Sequence, residues 1–265
     1  MKVGIVGLGQ IGGSLALALK KTGKYRITGM DISEEIREAI SGKIDGVTEN
    51  YGELKNFSEI VILAVPVREI KKLLGIFRDF SGIVMDTGST KVEVMEEARK
   101  YGFRFVGGHP LAGTEKIGPE SWSSSLFQGT PFFLTGNLRK KDRVVVENLV
   151  RDTGANPVWI EPEIHDRIMA YTSHMPYVLA LALTHLSSKF SRFWGPGIKS
   201  TTRLAAQNPE MALDILFTNR KNIEDALQDF SNVLMELKIL MRDPEELRKF
   251  LEEIYRKRRE VDGSG

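Results

Sequence analysis

The 265-residue chain contains no cysteine. Disulfide staples, thiolate nucleophiles and cysteine-ligated metals are therefore excluded, and any chemistry falls to His, Ser, Thr, carboxylates, Lys or a cofactor. Excess charge of one sign is missing too. With 37 basic against 35 acidic residues the net charge is +2, which gives no electrostatic footprint for nucleic acid or an anionic membrane. The one basic run, Arg256-Lys257-Arg258-Arg259, is read as a solvated helix end, where cations complement the helix dipole. No apolar stretch of about 18 residues lacks a polar break, and Met1-Lys2 leads straight into a short strand pattern. Neither a secretory leader nor a membrane span is expected, and a cytoplasmic location follows by default. No metal, nucleic acid or membrane is expected as a partner.

What the chain does have is 42% apolar residues, enough to bury a core without staples. Short Val- and Ile-rich strands alternate with helical patterns over the first half, at Lys2 to Val6, Arg26 to Met30, Ile60 to Val65, Ile83 to Asp86 and Phe105 to Val106. Such alternation predicts parallel strands joined by crossover helices, and the lack of polar positions predicts a sheet covered on both faces. Pro131 to Leu134 and Pro157 to Ile160 add two strands around a helix from about Asp142 to Asp152. Together these predict an α/β, doubly wound Rossmann-type domain over residues 1–160. From Pro162 helical patterns take over, from about Glu163 to Leu186, Pro209 to Thr218, Asn219 to Met241 and Pro244 to Arg259. They predict an all-α domain over 161–261, with 262–265 as a linker-like disordered tail. Its first helix is apolar on nearly every side, so a homodimer sharing this domain is the expected solution.

Gly7-Leu8-Gly9-Gln10-Ile11-Gly12 follows the first strand and opens a helical pattern, the setting in which such a hexad binds a dinucleotide. Gly7 permits the tight turn, Gly9 removes a side chain where pyrophosphate approaches, and Gly12 lets helix and strand pack, with Gln10 and Ile11 starting the helix. Asp31 ends the second strand about 20 residues past the glycines, where a carboxylate accepts from ribose hydroxyls. No Arg occurs in Ile32-Ser33-Glu34, so NAD is favoured over NADP; Arg37 is taken to face outward. Val65-Pro66 and Asp86-Thr87-Gly88-Ser89-Thr90 end two more strands, and ligands in open parallel sheets bind beyond such ends. Ser89 is both a candidate to touch nicotinamide or substrate and a candidate N-cap for the helix starting near Lys91. His109 is placed on a glycine-flanked turn, Gly107 to Gly113, directly after Phe105-Val106. A neutral imidazole with a reference pKa of about 6.5 suits a proton acceptor near neutrality. Pro176 cannot donate to the carbonyl of Thr172, so its helix should bend there and leave His174 beside a freed carbonyl. His165, Asp166 and His185 are read as structural.

Four segments carry a resemblance to the prephenate dehydrogenase family of tyrosine biosynthesis, which includes arogenate dehydrogenases. They are Gly4 to Ser14, Asp86 to Lys91, Gly107 to Gly118, and Ser173-His174-Met175-Pro176 with Lys199-Ser200-Thr201-Thr202-Arg203. The resemblance implies an NAD-dependent oxidative decarboxylation. Hydride leaves the carbon bearing the ring hydroxyl, the hydroxyl proton passes to a histidine, and aromatisation expels carbon dioxide to give 4-hydroxyphenylpyruvate. His109 matches the family's catalytic histidine, and Ser89 a serine that contacts the hydroxyl or orients the imidazole. Thr114 and Glu115 match a pair that lines and gates the pocket, while Arg203, with His174 and Lys199 nearby, matches the carboxylate-binding set. A dianionic substrate calls for such a permanent cation. The chain departs from the family in having Tyr177 where a second histidine is common. Neither a fused chorismate mutase nor a regulatory amino-acid-binding module is expected within 265 residues. Arogenate dehydrogenase, a hydroxy-acid dehydrogenase of similar build and a non-catalytic NAD-sensing dimer stay open as alternatives.

Overall fold

The structure is a computed structural model and describes residues 1–113 and 118–263. Successive strand residues point to opposite faces of a sheet, and in this chain both sets are apolar. Val3, Ile5, Ile60, Ile62, Ile83 and Met85 pack into one buried cluster, whereas Val6, Val61, Leu63 and Val84 pack into another. Each cluster is roofed by its own helices. Leu15 and Leu19 of α1 (Gln10–Lys21) and Val146, Leu149 and Val150 of α6 (Lys140–Asp152) close the first. Val67 and Ile70 of α4 (Val67–Leu73) and Val94, Met95 and Ala98 of α5 (Val92–Arg99) close the second, with Phe77 beneath them.

The eight strands are β1 (Lys2–Val6), β2 (Arg26–Met30), β3 (Gly46–Val47), β4 (Ile60–Leu63), β5 (Ile83–Asp86), β6 (Arg104–Pro110), β7 (Pro131–Thr135) and β8 (Asn156–Trp159). Their order is β3-β2-β1-β4-β5-β6-β7-β8, so the winding reverses between β1 and β4. That reversal opens a crevice at the strand ends. The strand β3 escapes sequence reading because two residues carry no alternation. β1 to β6 are parallel, but β7 runs antiparallel to β6. Among the described residues of 111–130 only a 3-10 turn at Gly118–Ser121 is helical, so no crossover helix carries the chain back before β7 starts. β6 is also longer than expected, and His109 is a strand residue paired with Phe133, not part of a turn. Glycine explains the extension. A Cβ on Gly108 would lie 2.4 Å from the Asp86 carbonyl oxygen, so only glycine lets β6 pass this close to β5.

Below that crossing lies a buried ion pair. Lys91 and Asp86 have side chains 1% and 0% exposed, and Lys91 Nζ donates to Asp86 Oδ2 and to the Gly108 carbonyl. Asp86 also accepts from the Gly88 and Gly108 amides, at 2.7 and 3.0 Å. One carboxylate thus ties the end of β5, its following turn and the middle of β6.

Two compact units divide the chain, Met1–Arg220 and Lys221–Gly265. The first contains the sheet with the helices already named, α2 (Glu34–Ile40) and α3 (Tyr51–Phe57) beside them, and then α7 (Pro162–Met169), α8 (Met175–Ser187), α9 (Pro196–Thr202) and α10 (Pro209–Thr218). The expected long helix after Pro162 is interrupted by a π-helical turn at Ala170–His174, directly before Pro176. The wide turn falls where the proline was expected to disturb the helix. Side chains of α10 reach the sheet layer: Asp214 pairs with Arg68 at 2.8 Å, and Thr218 meets Thr90 at 2.8 Å. The second unit consists of α11 (Arg220–Leu240) beyond its first residue and α12 (Pro244–Gly263), capped by Asp243. α12 extends two residues into the segment read as a tail. No helix among the described residues is long and apolar enough to cross a membrane.

Lys91→Met would leave Asp86 buried without its cation. We expect a loss of about 3–5 kcal/mol in unfolding free energy, measured by urea denaturation.

Candidate active site

Gly7 has φ +84°, a left-handed conformation that glycine tolerates, and a Cβ there would meet the Ala64 carbonyl oxygen at 2.5 Å. The turn after β1 therefore presses on the end of β4, at the crevice where strand order reverses. Gly12 is tighter still, since its Cβ would lie 1.8 Å from the Gly7 carbonyl oxygen. Gly9 faces open space instead, with nothing within 4 Å of a Cβ. Two glycines compress the turn and the third leaves an unobstructed approach over the start of α1, an arrangement that fits a dinucleotide pyrophosphate. Gln10 and Ile11 begin that helix, half-buried, and Val65 and exposed Pro66 border the same crevice from β4. Trp122 braces the turn by donating from Nε1 to the Leu8 carbonyl at 2.9 Å.

Asp31 sits where expected, but its carboxylate also has a structural task. Oδ2 accepts from the Leu8 amide at 2.7 Å and Oδ1 from the Ser33 amide at 2.9 Å. A carboxylate has about four acceptor positions, so capacity for ribose hydroxyls is left. Arg37 does not face outward. Its Nη1 donates to the Asp31 carbonyl at 2.7 Å, its side chain is 13% exposed, and Glu49 pairs with its Nη2. The helical position predicted an outward side chain, but a long arginine folds back once a carbonyl and a carboxylate stand in reach.

Three strands along the sheet from β1, and at the same strand ends as the glycine turn, His109 projects from β6. Its Nδ1 lies 2.9 Å from His165 Nε2, and His165 Nδ1 lies 2.7 Å from Asp166 Oδ1. His165 is wholly buried, its ring held edge-on to both His109 and Phe133. Asp166 Oδ1 accepts from the Lys91 amide at 2.7 Å and Oδ2 from the Val92 amide at 2.9 Å. This carboxylate from α7 thereby caps α5, the task offered to Ser89 by sequence. Ser89 is left half-exposed just past β5, available for other contacts. Asn219, after α10, donates to the Asp166 carbonyl at 2.7 Å and stands 3.0 Å from His174 Nδ1. Five polar residues from β6, α7, the π-turn and the end of α10 thus share one network.

Burial dominates the electrostatics here. It pushes the His109 imidazolium well down from its ordinary range, with His165, Lys91 and His174 adding to the effect. His165 is lowered by burial, against the pull of its hydrogen bond to Asp166, and Lys91 lowers it further. His174 falls to about 4, again by burial first, with Asp166 opposing and His165 assisting. Near neutral pH all three rings are uncharged.

The structure brings together His109, His174, and the pair His165 and Asp166 that sequence assigned to structure. It also adds Lys91, Asp86 and Asn219. The available signal was an acidic residue beside a histidine at the start of a helix, which sequence alone does not separate from a surface pair. Arg203, in a 3-10 turn at Arg203–Ala206 that packs on α8, and Lys199 of α9 are exposed. Thr114 and Glu115 lie outside the described residues.

A model of the prephenate dehydrogenase nucleotide-binding domain matches residues 15–158, and one of the prephenate dehydrogenase dimerization domain matches 161–253. The chain belongs to the prephenate dehydrogenase family. It is 35% identical to the prephenate dehydrogenase of Bacillus subtilis over 85% of this chain, and spans 66% of that enzyme's length, just under two thirds. A solved prephenate dehydrogenase from A. aeolicus, in complex with hydroxyphenyl propionate and NAD+, superposes with a TM-score of 0.92 at 34% identity, covering 98% of both chains. An arogenate dehydrogenase from Synechocystis gives 0.84 at 26% identity, covering 98% of this chain and 100% of its own.

Two outcomes are expected. Gly12→Ala forces the glycine turn apart and should weaken NAD binding at least about tenfold in a fluorescence titration, with the far-UV circular dichroism unchanged. The second concerns pH. An unfolded histidine titrates near 6.5 and folded His174 near 4, so between those values the unfolded chain binds more protons and stability falls as pH falls. Each such histidine contributes a slope of up to about 1.4 kcal/mol per pH unit. Urea midpoints at pH 7.5 and 5.0 should show the loss, and His174→Asn should reduce it.

Proposed function

We propose that the chain carries out NAD-dependent oxidative decarboxylation of prephenate to 4-hydroxyphenylpyruvate. The observation that carries this reading is a half-buried, uncharged His109 on the strand next to β5, at the same end of the sheet as the glycine turn, in a chain of this family. Bound NAD supplies the hydride acceptor, and Gly7, Gly9 and Gly12, with Gln10, Ile11, Asp31, Val65 and Pro66 around them, are the residues that would hold it.

His109 accepts the proton of the ring hydroxyl as the carbon beneath it gives up hydride. A ring held neutral by burial keeps the lone pair this requires. The bond to the ring carboxylate then breaks, its electron pair completes the aromatic ring, carbon dioxide leaves, and the new phenolate oxygen takes the proton back from His109. No net proton is needed. Ser89 hydrogen-bonds the reacting hydroxyl. Arg203 pairs with a substrate carboxylate, which a guanidinium can grip with two parallel donors, and Lys199, His174, Thr114 and Glu115 complete the substrate side of the site.

The protein acts as a homodimer through its helical part, and the reading includes residence in the cytoplasm with access to free NAD. Support for the dimer comes from the matched dimerization domain and from the side chains that α8 and the turn after it leave open. Leu186, Phe190 and Phe193 are 67%, 55% and 72% exposed, more than a helix apolar on nearly every side leaves uncovered as a stable monomer.

The Synechocystis relative keeps arogenate in view, so turnover should be measured with prephenate and arogenate side by side. Prephenate should have the higher kcat/KM, and a preference for arogenate would overturn the substrate assignment. His109→Asn should lower kcat by about 10²–10⁴-fold with NAD affinity nearly intact. Arg203→Ala should chiefly raise the KM for prephenate. Wild-type kcat and KM in both variants would refute the assignment of the site.

A further inference from the structure

We infer that Asp166 and His165 are positioning residues that hold His109 as the Nδ1–H tautomer and so make its Nε2 the proton acceptor; this rests on the role proposed for His109.

The argument follows the hydrogens. Asp166 is 1% exposed and its two carboxylate oxygens receive the Lys91 and Val92 amides, so its side chain acts as an acceptor. The nitrogen 2.7 Å from Oδ1, His165 Nδ1, must therefore be the donor. A neutral imidazole with hydrogen on Nδ1 has only a lone pair at Nε2. That lone pair faces His109 Nδ1 at 2.9 Å, so His109 Nδ1 is the donor in turn. Its own Nε2 is left bare. Each assignment forces the next, and the chain starts from backbone amides that cannot change their role.

Neutrality of His165 is a condition, because a doubly protonated ring would turn the order around and place the hydrogen of His109 on Nε2. The groups facing the pair favour neutrality. Lys91 bears on both rings, His174 bears on His109, and Asp86 with Asp166 opposes them at His165, while burial outweighs the rest. The polarity of the relay also suits the reaction. When Nε2 receives the hydroxyl proton, His109 becomes a cation whose Nδ1–H already points at His165, and behind it lies the Asp166 carboxylate. No proton has to move along the relay, and the positive charge is stabilised where it forms.

The test uses both chemistry and spectroscopy. In Asp166→Asn a single oxygen remains for the amides of α5, so the carboxamide NH2 turns to His165 Nδ1, and each tautomer along the relay inverts. The kcat should fall on the order of 10³- to 10⁴-fold, as when a tautomer-fixing carboxylate becomes an amide. KM for prephenate and Kd for NAD should change less than about threefold. Nitrogen-15 spectra of the histidine-labelled enzyme, which has four histidines, should show His109 with a protonated Nδ1 and a bare Nε2 in the wild type. The variant should show the reverse. His165→Phe keeps a ring in place without an acceptor, and should leave His109 as a mixture of tautomers with kcat at least about tenfold lower, which covers the case of Asp166→Asn failing to fold. A wild-type His109 protonated on Nε2, or an unchanged tautomer in both variants, would overturn the inference. The spectra do not depend on turnover, so a tautomer found as stated, together with a fully active His109→Asn, would sink the function and not the relay.

Discussion

One carboxylate joins the helical part of the first unit to the sheet. Asp166 stands on α7, yet it accepts the two leading amides at the start of α5 and holds the ring of His165. Amides at a helix start have no partner within their helix and carry the positive end of its dipole, so an anion there is favoured twice. Because the cap comes from a helix more than 70 residues away in sequence, capping α5 and positioning the reactive histidine are one event. If Asp166 were displaced, α5 would lose its cap and His165 its fixed orientation together.

The surrounding polar groups are costly to bury, and their arrangement explains why they persist. Asp86 and Lys91 are both inaccessible, but each has several partners, and the partners include the backbone of β6 at the point where Gly108 lets that strand pass. Breaking any member would leave a buried group without compensation. The same closeness keeps Lys91 near the histidines and helps hold them uncharged. A stabilising ion pair and a tuned base are thus parts of one packing arrangement, and neither can be altered alone.

Much of the nucleotide-binding half was legible in the chain. Short apolar runs located seven of the eight strands, β6 only by its first half, and the glycine spacing located the turn. The reading went astray where the deciding contact was remote or short. Two-residue β3 shows no period, and His109 belongs to a strand because Phe133 pairs with it. Arg37 folds inward because Glu49 and the Asp31 carbonyl are there to receive it. Pro176 did announce the π-helical interruption before α8, since a missing amide is a local property.

From sequence alone came everything set by bonds and spacing along the chain: an α/β half followed by helices, a glycine turn open to phosphate, the absence of thiol chemistry, and one imidazole after an apolar strand. Tertiary structure alone decided which residues that imidazole meets, how deeply it is buried and which carboxylate stands behind it. The physical reason is range. Turn geometry and side-chain alternation act over a few residues, whereas desolvation and hydrogen-bond partnership depend on atoms that folding brings from β5, β6, α5 and α7 into contact.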